Sequence, residues 1–226
     1  MNLAHHAVTL AIRGLSDTLC QVNDEQLKHV PKRGPLILVC NHINFLDVPV
    51  LYTHLQPRPI TGFAKAETWD SAPMALLFNL WGAIPIRRGE ADLRALRSGI
   101  AALEAGKILA IAPEGTRSGH GCLQRGHPGV VLMALHTKAP LLPIVYYGGE
   151  AFRDNFKRLS RTDFHISVGQ PFHLHHGGVK VTKHVRREML DEIMYQLAWL
   201  LPEAYRGEYA DISRATQRYL RRVDLM

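Results

Sequence analysis

The chain has 226 residues, 46% apolar and 21% charged, with 27 Lys and Arg against 20 Asp and Glu, a formal net charge of +7. That length suits one domain with enough buried surface for a core, and the composition excludes a disordered chain. No apolar run reaches the roughly 18 residues of a membrane span, the opening MNLAHHAVTLAIRG lacks the basic start and clean apolar stretch of a cleaved leader, and three cysteines without a CxxC exclude a paired disulfide framework and fit a reducing compartment.

Along residues 1–20, Leu3, Ala7, Val8, Ala11, Ile12, Leu15 and Leu19 recur at three- and four-residue spacing, with His5, His6, Thr9, Arg13 and Asp17 between them. This predicts an amphipathic helix whose apolar stripe either packs on the domain or lies in a membrane interface. An alternation follows. Short apolar runs over 35–40, 60–65, 82–88, 108–113, 141–148 and 164–172 read as strands. Helix patterns fall over 48–55, 72–81, 91–107 and 129–138, the clearest being 91–107, with Leu93, Leu96, Ile100 and Leu103 as its stripe and Gly106 as its stop. A last helix over 182–200 carries Val185, Met189, Ile193, Leu197 and Leu200 on one face. Strands separated by helix-length segments predict an α/β fold: a single domain over 1–226, its central, largely parallel (mixed) sheet flanked by helices. Its parts are the N-terminal amphipathic helix (1–20), a catalytic core (30–172) and a C-terminal helix and tail (182–226).

In such a fold reactive side chains stand just beyond the carboxyl ends of strands. After the strand at 35–40 comes Asn41-His42-Ile43-Asn44-Phe45-Leu46-Asp47. On a straight helix five residues turn about 500°, which would separate His42 from Asp47. A loop entering a helix can instead bring them together, so that the carboxylate orients the imidazole as a general base. No G-x-S-x-G nucleophile occurs, so such a pair would deprotonate a hydroxyl of the substrate. The same residues can equally be a helix N-cap and a loop histidine. After 108–113 comes Pro113-Glu114-Gly115-Thr116-Arg117-Ser118, with a glycine for close approach and a guanidinium suited to phosphate. Lys65 closes one strand, and Arg87 and Arg88 close another. Four strand ends therefore converge on one polar rim. His173, His175 and His176 have no carboxylate at ligand spacing and read as a surface turn, so no metal is expected. Residues 151–190 hold eight basic side chains (Arg153, Lys157, Arg158, Arg161, Lys180, Lys183, Arg186, Arg187) against three acidic ones (Asp154, Asp163, Glu188). That excess suits an anionic partner.

The sequence resembles the glycerolipid acyltransferase family, whose best-known members acylate 1-acylglycerol-3-phosphate. The resemblance rests on NHINFLD (41–47), GAIPIRR (82–88), APEGTRS (112–118) and APLLPIV (139–145) in that order, and on LPEAYRGEY (201–209). It implies that His42 is the general base and Asp47 its orienting partner. The acceptor hydroxyl then attacks an acyl thioester directly. Arg88, Glu114, Gly115 and Arg117 match blocks associated with the acceptor. Thr116, Arg87 and, more loosely, Lys65 join them as expected substrate-binding residues. Pro85, Ala112 and Asn44 depart from the common pattern. The implied function is transfer of a fatty acyl group from acyl-CoA or acyl carrier protein to a lysophospholipid hydroxyl. No cofactor and no nucleic acid take part, and the site is the cytoplasmic side of a membrane, held peripherally on its anionic surface. Glycerol-3-phosphate or lyso-ornithine lipid is the alternative acceptor, and a non-catalytic binder of anionic lipid is the alternative class.

Overall fold

The fold is described from a computed structural model, and the structure describes residues 3–87, 89 and 92–223. A nine-stranded sheet forms the centre. Its strands are β1 (Cys20–Asn23), β2 (Leu36–Cys40), β3 (Ile60–Lys65), β4 (Ile84–Ile86), β5 (Ile108–Ile111), β6 (Leu141–Tyr147), β7 (Thr162–Val168), β8 (Phe172–Leu174) and β9 (Leu220–Arg222). The order is β1-β7-β6-β2-β5-β3-β4, with β8 beside β6 and β9 beside β8. Strands β6, β2, β5, β3 and β4 are parallel, whereas β7 runs antiparallel to β6 and carries β1 parallel to itself. The chain leaves β2 toward β3, β4 and β5 on one side and returns to place β6 on the other. The carboxyl end of β2 is thus a topological switch point, where open α/β sheets leave a crevice.

Period-two alternation in β2 sends Leu36, Leu38 and Cys40 to one face and Ile37 and Val39 to the other, and these belong to two separate apolar cores. Helices α4 (Leu93–Glu104), α5 (Gly129–Thr137) and α7 (Lys183–Leu200) build the Ile37 side. Helices α1 (Leu3–Leu19), α2 (Asp47–His54) and α3 (Ala72–Leu80) lie with the Leu36 side, joined by Phe152 of α6 (Phe152–Lys157). Thr182 caps α7, its hydroxyl accepting the N–H of Val185 at 3.2 Å. The α7 stripe is buried at Val185, Met189, Ile193 and Leu197, each side chain contributing roughly 1.5–3 kcal/mol.

The structure departs from the sequence pattern in four ways. The run 164–172 is two strands, because Gly169 turns to donate to the Pro143 carbonyl at 2.9 Å and Pro171 has no N–H to offer a ladder. Strands β1 and β9 and helix α6 are too short for a periodic signal, and the sheet thereby takes strands from outside 30–172. The inner face of α4 is Ala95, Gly99 and Leu103, while Leu93 is 60% exposed. Small residues win there because a Cβ at Gly99 would lie 2.8 Å from Met133 and 2.9 Å from Phe63.

The fourth departure is α1. Its apolar stripe is split: Ile12 and Leu19 pack against the Leu36-side core, whereas Leu3, Val8 and Leu15, with Leu10 beside them, are exposed, and the fully buried residues are His5, Thr9 and Ser16. Polar pairing fixes that face. His5 Nε2 lies 3.0 Å from the Tyr52 hydroxyl of α2, and Asp17 pairs with His54 Nε2 at 3.0 Å. Among the described residues, no helix is long and apolar enough to cross a membrane.

Candidate active site

Beyond the last pair of the β2–β6 ladder, Cys40↔Ile144, the side chain of Asn41 takes over the work of a strand. Its Oδ1 accepts the N–H of Tyr146 at 2.8 Å and its Nδ2 donates to the Tyr146 carbonyl at 2.9 Å. The amide imitates a peptide unit and pins the following loop to β6. Asn44 holds the other end, accepting from the N–H of Leu46 at 2.8 Å and donating to the Gly149 carbonyl at 2.7 Å. A serine at this position could supply only one hydroxyl in place of that fork.

Between these clamps the structure brings His42 and Asp47 together. Asp47 Oδ2 lies 2.7 Å from His42 Nδ1 and also accepts the N–H groups of Ile43 at 2.6 Å and Asn44 at 3.0 Å. Asp47 is therefore no N-cap of α2: its carboxylate turns back into the loop instead of bonding the helix's free N–H groups. A carboxylate only accepts, so Nδ1 carries a proton, and in the neutral ring it is Nε2 that holds the lone pair. Asp47 is buried and His42 is partly exposed.

Glu114 is 2% exposed. One oxygen accepts the main-chain N–H of His42 at 2.8 Å and the other accepts that of Gln124 at 2.9 Å. Burial pushes its carboxyl up to about 7, against those two bonds, which favour the ionised form. This carboxylate thereby orients the histidine's backbone. The turn after Glu114 also lies on the histidine loop, with Ser118 N–H donating to the His42 carbonyl at 2.8 Å and Gly119 N–H to that of Ile43 at 2.9 Å.

A cavity of about 450 Å³ opens at this pair, and both His42 and Asp47 line it. It runs among β3, β5, α2, α4 and α5, and its wall is mostly apolar, including Leu51, Phe63, Phe78, Trp81, Leu96 and Met133. Tyr52 stacks on Trp81 with ring centroids 4.4 Å apart, and burial pushes the Tyr52 phenol up to about 12. Cys40 also lines the wall, its thiol likewise pushed up to about 12 by burial, which makes it inert as a nucleophile.

The remaining expected contact residues fall less tightly together. Gly115 is in the cavity wall. Thr116 and Arg117 are exposed on the turn outside the wall, Arg87 is exposed after β4, and Lys65 is ion-paired with Glu67 at 3.3 Å. Arg88 lies outside the described residues. Sequence reasoning missed the clamps Asn41 and Asn44, and it missed His127, whose ring joins the wall beside Gly115. Asn41 had a signal in its position directly before His42; His127 had none. His173 and His175 stand along β8 and its end, and His176 Nδ1 donates to the Val179 carbonyl at 3.2 Å. No three His, Cys, Asp or Glu among the described residues are placed to hold a metal ion.

The site and fold define an α/β domain with a carboxylate-oriented imidazole at the mouth of an apolar pocket. Residues 21–147, more than half of the chain, match the acyltransferase family, and the chain belongs to it. It is 27% identical over 147 residues, covering 65% of the chain and 71% of the relative, to the 1-acyl-sn-glycerol-3-phosphate acyltransferase of Bacillus subtilis. It is 31% identical over 113 residues to the lyso-ornithine lipid O-acyltransferase of Pseudomonas aeruginosa, covering 50% of the chain and 43% of that relative. The crystal structure of the 1-acyl-sn-glycerophosphate (LPA) acyltransferase PlsC from Thermotoga maritima shares the fold, with a TM-score of 0.63 at 20% identity, covering 87% of this chain and 80% of that one.

Proposed function

We propose that this protein transfers a fatty acyl group from an acyl thioester to the free hydroxyl of 1-acylglycerol-3-phosphate. The single observation that carries the reading is the 2.7 Å pairing of His42 Nδ1 with Asp47 at the mouth of the apolar cavity. Nε2 takes the acceptor's hydroxyl proton as the oxygen bonds to the thioester carbonyl carbon. The C–S bond then breaks, and the leaving thiolate takes the proton back from the imidazolium. Asp47 stabilises the imidazolium in between. The cavity is the berth for an acyl chain, its size falling in the range of lipid and drug-sized sites. Both relatives named for their acceptors act on lysolipids, which supports the same class here.

The lipid substrates imply a membrane source, and we infer peripheral attachment to an anionic surface. The outward apolar face of α1 supports it, as do Phe156 and Leu159, exposed at the end of α6 beside the exposed Arg153 and Arg158. Other members of the basic segment are committed within the fold. Arg161 donates to the carbonyls of Asp17 and Cys20 at 2.7 and 2.6 Å, and Arg187 pairs with Asp191 at 2.8 Å. Mass spectrometry after incubation with acyl-CoA or acyl carrier protein and with 1-acylglycerol-3-phosphate, glycerol-3-phosphate or a lyso-ornithine lipid tests the reaction. Phosphatidic acid is the expected product, lost in His42→Ala. No product from any pairing, or full turnover by the folded His42→Ala variant, removes the reading.

A further inference from the structure

Asp47 uses only one of its two oxygens. Oδ2 gathers His42 Nδ1 and the N–H groups of Ile43 and Asn44. Oδ1 is buried and accepts from no protein group among the described residues. A buried carboxylate oxygen without a donor is costly, and this one belongs to the group that aims the base. A second orphan belongs to the same cavity wall. Tyr146 is 0% exposed, and its hydroxyl has no partner of good hydrogen-bonding geometry among the described residues.

The fold brings the two residues to one place. Period-two alternation in β6 sends Leu142, Ile144 and Tyr146 to the Leu36 side of the sheet, where α2 begins at Asp47. Asn41 clamps the Tyr146 main chain beside the histidine loop, and the Tyr146 ring packs on Phe164 with centroids 5.7 Å apart. The hydroxyl faces Cys40 of β2, whose thiol is turned to the Ile111 carbonyl at 3.8 Å and is only a weak acceptor. Burial, then the neighbouring Cys40 and Asp47, push the phenol well above its ordinary value, so the hydroxyl keeps its proton and remains a donor. The charge of Asp47 acts on Cys40 and Tyr146 alike, and all three line the cavity. A buried donor and a buried acceptor thus stand near each other without bonding directly, and a polar spot with two such partners suits one water.

Resting on the reaction proposed above, we propose that Tyr146 is a positioning residue, its hydroxyl donating to a water molecule that donates in turn to Asp47 Oδ1. The bridge occupies the second oxygen of the carboxylate and keeps Oδ2 turned to His42 Nδ1. Tyr146 therefore acts on the base through Asp47 and touches neither substrate.

The test joins kinetics of the full chain to crystallography. Tyr146→Phe removes one oxygen and keeps the ring against Phe164. With 1-acylglycerol-3-phosphate and a thioester donor, kcat is expected to fall about tenfold while both KM values stay within about twofold. In Asp47→Asn, where the charge is gone, the same substitution is expected to change kcat by less than about twofold. A tenfold loss that persists in Asp47→Asn, a loss carried by KM, or no loss at all overturns the assignment while leaving the reaction standing. A crystal structure that resolves ordered water is expected to hold one within about 3.2 Å of both Tyr146 Oη and Asp47 Oδ1. No water there overturns the bridge whatever the turnover. A chain that holds the water yet acylates none of the acceptors removes the reaction and keeps the bridge.

Discussion

Glu114 reaches across 72 residues of sequence to accept the main-chain N–H of His42 at 2.8 Å. The contact makes the turn after β5 a support for the loop after β2, and it puts a buried acid under the reactive imidazole's backbone. Its folded carboxyl titrates at about 7, against 4.5 for the free group. Between those values the folded state keeps a proton that the unfolded state has released. Stability from this group is therefore full below about pH 4.5 and lost as pH rises through about 7. The unfolding free energy of the wild type, measured in urea and compared with Glu114→Gln at each pH, should fall by on the order of 3 kcal/mol across that window and level off above it. Parallel profiles for the two proteins contradict the burial argument.

Asp47 gathers three donors on one oxygen. An amide can keep the two backbone bonds but not the charge that stabilises the imidazolium. Asp47→Asn should retain the fold by circular dichroism and lose about 10²-fold or more in kcat. Asp47→Ala strands the buried N–H of Ile43 as well and should cost about 1–3 kcal/mol in stability for that group alone. Equal activity in Asp47→Asn and the wild type would show that the carboxylate does not act through the histidine.

The fork between Asn41 and both main-chain groups of Tyr146 predicts a structural penalty with a functional consequence. Asn41→Ala leaves a buried N–H and a buried carbonyl without their partner, at about 1–3 kcal/mol each, and frees the loop that carries His42. Thermal unfolding and kcat should fall together. A drop in kcat at unchanged stability would instead assign Asn41 a direct contact with substrate.

Gly99 lies behind two residues of the cavity wall. A Cβ there meets Met133 and Phe63, both wall residues, and their flexible ends have the cavity to move into. Gly99→Ala should shift donor preference toward shorter acyl chains, read as relative kcat/KM over a series of thioesters. An unchanged chain-length profile in a folded variant would place the acyl chain elsewhere.

The outward leucines of α1 give a prediction on attachment. Leu10 and Leu15 are 57% and 59% exposed, so changing both to Asp should leave the melting temperature alone. Each buried leucine contributes roughly 1.5–3 kcal/mol, so co-flotation with phosphatidylglycerol vesicles should weaken more than about tenfold. Undiminished flotation would take α1 out of the membrane contact.

Much of this protein is legible in its sequence because the signals are local. Apolar runs such as Leu36–Cys40 and Leu141–Tyr147 are dictated by burial on both faces of a sheet, and the stop at Gly106 follows from backbone preference. The four ordered blocks fix which strand ends carry reactive side chains. The direction in which α1 faces, the division of 164–172 into two strands, and the partner of each reactive side chain were decided only when distant segments met. An apolar stripe states that a surface must leave water, not whether protein or lipid covers it. Ile12 and Leu19 are covered by protein while Leu3, Val8 and Leu15 face outward, because His5 and Asp17 find Tyr52 and His54 on α2. Likewise Glu114 reads as a substrate ligand until the fold seals it against a backbone N–H, and His127 reads as an ordinary loop residue until the cavity closes around it.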